Sequence, residues 1–159
     1  AFGHGLGCHV CLLRPKSTGE VTLNSNDAFD SPKIDPKFFS EREDMDIMIR
    51  GYRKMMQIMD AEPLRPFTRK VQDPVDINSD ADIEAAMRAR ADTVYHPVGT
   101  CKMGSDEMSV VNHELKVHAL ENVRVVDASI MPTLVGGNTN APTIMIGEKA
   151  ADMIKSSWV

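Results

Sequence analysis

Two short stretches hold the residue types that can do chemistry. The first is Tyr95-His96-Pro97-Val98-Gly99-Thr100-Cys101-Lys102-Met103-Gly104, and the second lies further on, Gly136-Gly137-Asn138-Thr139-Asn140-Ala141-Pro142-Thr143. In the first, a histidine precedes a proline, which restricts the backbone to extended conformations, and small residues follow that let other groups approach closely. In the second, a glycine-rich turn delivers Asn140 to the start of an apolar helical run. Unpaired backbone N–H groups and the positive end of the helix dipole favour an anion there. A base and an amide beside an anion-stabilising helix end suit a reaction in which an oxygen loses a proton.

Taken singly, each residue also has a plain structural reading. A histidine before a proline is commonly a packing residue, and Asn140 or Asn138 reads as an ordinary helix N-cap. His113 and His118 have no motif around them and read as surface. Cys8-His9-Val10-Cys11, with His4 nearby, has C-x-x-C spacing, which raises a zinc or redox site. No second C-x-x-C completes a metal site, and Val10, Leu12 and Leu13 around it favour small thiols packed in a strand. The expected metal content is therefore none.

The elements that must position these residues follow from periodicity and turn signals. His9–Leu13 and Glu20–Leu23 read as two strands of a hairpin closed by Pro15–Gly19. Asn24–Pro36 reads as loop, with Ile34 in a short extended piece. Ser40 and Glu43 form a capping box for a long helix. Its face of Met45, Met48, Ile49, Tyr52, Met55, Met56 and Met59 is core rather than a groove for a partner helix. Pro63 and Pro66 end it, and residues 65–76 read as irregular. A second helix starts at Ser79 or Asp80, buries Ile83, Ala86 and Met87, and fades near Ala91. Ser105–Asn112 is a polar loop, residues 115–117 are extended, and Val123–Val126 reads as a buried strand ending in Asp127-Ala128-Ser129. A last helix, 141–156, offers Ile144, Met145, Gly147, Ala150, Ala151 and Ile154 as an apolar face, with Gly147 permitting close approach. Ala1–Gly7 reads as frayed, and Trp158 has no assigned role.

Composition sets outer bounds. A chain of 159 residues with 42% hydrophobic content can bury one core, and with only 5% aromatic residues its eleven methionines and aliphatics must fill it. Eighteen basic against 23 acidic residues, with no basic stripe, argue against a nucleic-acid surface. No run of about 18 apolar residues suggests a transmembrane helix. No charged-then-apolar leader opens the chain. Three cysteines are too few for a disulfide framework and point to the cytoplasm, with association to a membrane surface as the alternative.

The two motif stretches, with Val125-Val126-Asp127-Ala128-Ser129-Ile130-Met131-Pro132 between them, resemble the C-terminal part of the glucose-methanol-choline oxidoreductases, a family of flavoenzymes. Leu12–Ser17 and Ile34-Asp35-Pro36 add a less specific likeness, so the resemblance covers essentially the whole chain. The family's GxGxxG fingerprint lies near the N-terminus of the full enzyme and does not occur here, so the chain reads as a fragment. The fold class implied is α+β: residues 1–93 as an antiparallel-sheet and helix portion of a substrate-binding domain, and residues 94–159 as the C-terminal strand and helix returning to the FAD-binding domain.

What the resemblance implies for function is oxidation of a primary alcohol, choline or another, to an aldehyde, with hydride transfer to FAD. By dehydrogenase or oxidase chemistry alike, His96 would accept the hydroxyl proton, as a histidine with an ordinary pKa of about 6.5 can at neutral pH. Asn140, where the family places a second histidine or an asparagine, would hold the alcohol oxygen. Asp127, Ala128, Asn138, Ala141, Pro142 and Thr143 would lie against the cofactor. The expected partners are the small alcohol, the missing N-terminal FAD-binding part of the same chain, and further copies of the chain through uncovered apolar faces; the fragment alone would bind no flavin tightly and be inactive. A free-standing binding module or a zinc-binding structural domain explains the size or the cysteine pair, but neither explains the paired motifs.

Overall fold

A computed structural model describes residues 5–157. The order of elements is β1 (Glu20–Thr22), β2 (Lys33–Asp35), α1 (Arg42–Met59), α2 (Asp80–Arg90) and α3 (Asn140–Ser156), with 3₁₀ turns at Glu62–Phe67 and Ala128–Ile130. The class is α+β, helices with one small antiparallel sheet. One compact unit takes in Ala1–Thr18 and Lys37–Val94, the other Gly19–Pro36 and Tyr95–Val159.

In the first unit, Met45 and Ile49 of α1 meet Ile83 and Met87 of α2 in a closed apolar cluster, each pair one helical turn apart. Phe39, Met48, Tyr52 and Val75 cover its edges. Of the methionine stripe, therefore, the N-terminal half is core and the C-terminal half is only partly covered. Ser79 caps α2 by accepting the Asp82 N–H at 3.2 Å. Beyond α1, Pro63 and Pro66 sit in the Glu62–Phe67 3₁₀ turn, so the irregular stretch is shorter than residues 65–76.

The expected capping box at Ser40 and Glu43 does not form. The N-cap of α1 is Glu41, without a side-chain cap bond, and its backbone N–H donates to Ser17 Oγ at 3.1 Å. Glu43 pairs with Lys16 Nζ at 2.6 Å. Asp44, 1% exposed, accepts the N–H groups of Lys16 and Ser17 at 3.0 and 2.7 Å. The acidic first turn of α1 thus satisfies donors of residues 16–17 rather than its own, and a partner distant in sequence displaces the local cap.

That clasp also explains why the first expected hairpin is absent. Residues 9–13 form no strand; Val10 instead lies over α1 where a Cβ at Gly51 would come within 2.7 Å of Val10 Cγ2. With residues 16–17 tied to α1, Glu20–Thr22 pairs onward with Lys33–Asp35, in the register Glu20↔Asp35, Val21↔Ile34 and Thr22↔Lys33. The short extended piece expected at Ile34 is the strand that does the pairing. Of the expectation for Ala1–Gly7, residues 1–4 lie outside the described residues, as does Trp158; Gly5–Gly7 are exposed and without regular structure.

The second unit has its core in Val111, Leu115, Ile130, Met131, Ile146 and Ala150. Most of it is laced by backbone bonds between irregular segments rather than by long strands. Residues 111–117 and 116–124 touch through single antiparallel bridges, Val111↔Val117 and Lys116↔Arg124. The expected buried strand at Val123–Val126 is therefore a single bridge with Val123 and Val126 exposed, and Asp127 turns the chain at once into the 3₁₀ turn by accepting the Ser129 N–H at 2.7 Å. The last helix covers the expected residues, but the face it buries is Ile146 and Ala150, with Met153 beside them. Ile144 and Met145 are 59% and 57% exposed, and no atom of the described residues comes near a Cβ built at Gly147. The helix is apolar on two sides, and the stripe at spacings of four and three wins the core.

Candidate active site

His96 is positioned by the segment that follows it. Gly99 takes φ +88°, open to glycine and costly for other residues, and a Cβ there would lie 3.4 Å from the Met131 carbonyl. The chain then runs alongside residues 129–130, with Cys101 N–H donating to the Ser129 carbonyl at 3.0 Å and Met103 N–H to the Ile130 carbonyl at 2.8 Å. Val98 and Met103 pack on the core, and Gly104 N–H donates to the Val111 carbonyl at 3.0 Å. On the other side of His96, Tyr95 is left-handed at φ 62°, which for a bulky residue costs about 1–2 kcal/mol. The histidine therefore sits between a strained residue and a firmly anchored one.

The loop after the motif is held by charge. Asp106 pairs with Lys102 Nζ at 2.9 Å and accepts from Ser109 Oγ at 2.8 Å. The Lys102 ammonium, and after it the Ser109 hydroxyl, hold the Asp106 carboxyl down to about 2.

The second motif closes on the imidazole. Thr139 Oγ1 lies 3.1 Å from His96 Nδ1, and Asn138 Nδ2 lies 3.2 Å from His96 Nε2. Thr139 is also the N-cap residue of α3, yet its hydroxyl makes no cap bond to the helix. The helix opens instead with Thr143, whose N–H and hydroxyl both donate to the Thr139 carbonyl at 3.0 and 2.6 Å. The first N–H groups of α3 are left without a side-chain cap, and that donor set, at the positive end of a helix dipole, fits an anionic or electron-rich group such as the reducible edge of a flavin.

The structure thus brings His96, Asn138 and Thr139 together. Asn140 is the first residue of α3, next to this cluster in the chain, with its side chain exposed. Ala141 is exposed and Pro142 and Thr143 are half-buried in the same first turn. Asp127 and Ala128 belong to the 3₁₀ turn that receives the Cys101 segment. Thr139 had no role in the sequence reading; the only available signal is a hydroxyl between two asparagines at a helix start, which reads as a cap. Cys8, Cys11 and Cys101 are free thiols, and the described residues contain no group of three or more His, Cys, Asp or Glu able to hold a metal ion.

His96 is thus held through both ring nitrogens next to a helix start that has no side-chain cap. Residues 15–147 match the family described as GMC oxidoreductase. The chain is 50% identical over 155 residues to an alcohol dehydrogenase [acceptor] of Pseudomonas putida, covering 97% of this chain and 28% of that protein. It is 45% identical over 153 residues to an oxygen-dependent choline dehydrogenase of Cronobacter sakazakii, covering 96% and 27%. Among solved structures it is similar to a formate oxidase of Aspergillus oryzae studied for the modification of its FAD, with a TM-score of 0.86 and 34% identity over 92% of this chain and 26% of that one. The chain belongs to the GMC oxidoreductase family, whose cofactor is FAD. It spans less than a third of the length of these relatives.

Proposed function

We propose that the full-length protein oxidises a primary alcohol, choline or another, to an aldehyde, with His96 as the proton acceptor. The observation that carries this is the imidazole held through both ring nitrogens by Asn138 and Thr139 at the start of α3. Supporting it, the relatives include enzymes named for alcohol and choline oxidation. His96 takes the hydroxyl proton as the alcohol carbon is oxidised, which is general-base catalysis. Asn140, exposed at the first position of α3, hydrogen-bonds the same oxygen and fixes the alcohol's orientation, so its contribution is positional. Asn138, Ala141, Pro142 and Thr143 form the cofactor-facing end of the helix, and Asp127 and Ala128 hold the turn beneath the His96 segment. When bound, FAD supplies the acceptor for the two electrons and the hydrogen that leave the alcohol carbon. The 159-residue chain by itself lacks the GxGxxG fingerprint, so it is proposed to hold no flavin tightly and to oxidise no alcohol.

The test is His96→Ala in the full-length enzyme. Flavin reduction by the alcohol should slow by about 10² to 10⁴ while FAD content stays at one per chain. An unchanged reduction rate would overturn the assignment.

A further inference from the structure

We infer that Thr139 is a positioning residue that fixes the tautomer of His96, keeping the ring proton on Nδ1 and leaving Nε2 free to accept the substrate proton. This rests on the reading of His96 as the base, and it adds a residue to which the motifs assign nothing.

Asn138 presents its amide nitrogen to Nε2 at 3.2 Å. An amide nitrogen only donates, so Nε2 must accept, and the single proton of a neutral imidazole is then on Nδ1. Nδ1–H meets Thr139 Oγ1 at 3.1 Å, and a hydroxyl oxygen is able to accept it. Thr139 is suited to hold this bond. It is 9% exposed, and its backbone is set at the helix start with φ −86° and ψ −6°. Its carbonyl receives Thr143, which leaves the hydroxyl to His96. A cap hydroxyl ordinarily bonds its own helix, and here that bond is not made.

The bond also has the right behaviour during turnover. When Nε2 takes a proton, Nδ1–H is unchanged and continues to donate to Thr139, so the ring keeps its orientation in both protonation states. The Asn138 contact behaves oppositely, because its amide N–H cannot donate to a protonated Nε2. Asn138 therefore yields its place on Nε2 to the substrate hydroxyl, whereas Thr139 holds throughout.

The experiment compares Thr139→Val, which removes the hydroxyl, with Thr139→Ser, which retains it, in full-length enzyme loaded with FAD. Nitrogen-15 NMR of ring-labelled histidine reads the tautomer of His96 at a pH where it is neutral, and rapid mixing reads flavin reduction. The expected result is the Nδ1–H tautomer in the parent and in Thr139→Ser. In Thr139→Val, where Nδ1–H has lost its acceptor and the Asn138 amide can turn its oxygen toward Nε2–H, that tautomer should give way to the Nε2–H form, with reduction slower by up to about 10²-fold, as for a misplaced catalytic group, and FAD content unchanged. An Nε2–H tautomer in the parent overturns the inference, as does a Thr139→Val enzyme that keeps both tautomer and rate. Failure of the His96 reading itself shows separately, as an undiminished rate in His96→Ala.

Discussion

His118 Nε2 lies 3.1 Å from the carbonyl oxygen of Gly104, and the His118 backbone N–H donates to the Val110 carbonyl at 2.9 Å, so one residue pins both sides of the 105–109 loop. The sequence offered no motif at His118 and it reads there as plain surface. In the structure it closes the far end of the segment whose near end carries His96.

Replacing His118 with Ala should therefore lower the stability of the second unit by about 1 kcal/mol, the usual worth of one intramolecular hydrogen bond. His113→Ala, at an exposed position, should stay within about 0.5 kcal/mol of the parent. Urea denaturation of the two variants side by side checks the difference, and equal midpoints would remove the tether from the account.

Gly99→Ala should cost more, about 1–2 kcal/mol, since alanine at φ +88° is forced into left-handed backbone. Because the anchor between His96 and Cys101 is what shifts, the full-length enzyme should also lose flavin reduction rate at unchanged FAD content. Melting temperature and single-turnover reduction measured on one preparation separate the two effects.

Asp44 governs the acid limb of the first unit. Burial by itself would push its carboxyl up, but the backbone N–H of Lys16 and the hydroxyl and N–H of Ser17 outweigh burial and hold it below 3.8. A folded value below the unfolded one means the stabilisation is fully present above about pH 4 and is lost as pH falls through the folded value. Asp44→Ala should remove about 1.5–3 kcal/mol, the scale of hydrogen bonds to a charged group, and should flatten the fall in stability below about pH 4. A variant with the same acid profile as the parent would place that sensitivity elsewhere.

Asn140 offers a test of role by stability. Read from sequence it is a helix cap, and Asn140→Ala would cost about 1 kcal/mol; in the structure Thr139 holds the N-cap position and Asn140 is already inside α3. Asn140→Ala should accordingly slow flavin reduction while leaving the melting temperature nearly unchanged. A large drop in melting temperature would return it to a structural role.

What was legible in the sequence is what depends on local signals. The α2 boundaries follow from Ser79 and its bond to Asp82, and α3 follows from an apolar run that starts after a glycine-rich turn. His96, the proposed proton acceptor, stood out because a motif surrounds it, and the second motif does close on it. What failed depends on partners distant in the chain: Lys16 and Ser17 reach α1 at Asp44, which removes both the capping box and the first hairpin. The buried face of α3 was ambiguous because Ile144, Met145, Ile146 and Ala150 crowd the helix with apolar choices, and only packing selects among them. Thr139 was hidden for a different reason, since its hydroxyl abandons the local bond that its position suggests.

The lacing of residues 101–104 bears on where motion can occur. The amide protons of Cys101, Met103 and Gly104 are held by carbonyls at Ser129, Ile130 and Val111, against a core that includes Ile130, Met131 and Val111. Such amides exchange with solvent only when the surrounding unit opens as a whole, at the slow end of the protein's range. His96 is thus carried just ahead of a segment that is laced onto the core of its unit. On the proposed reading, any rearrangement that admits substrate is expected in segments without such lacing, with the imidazole staying where the fold sets it.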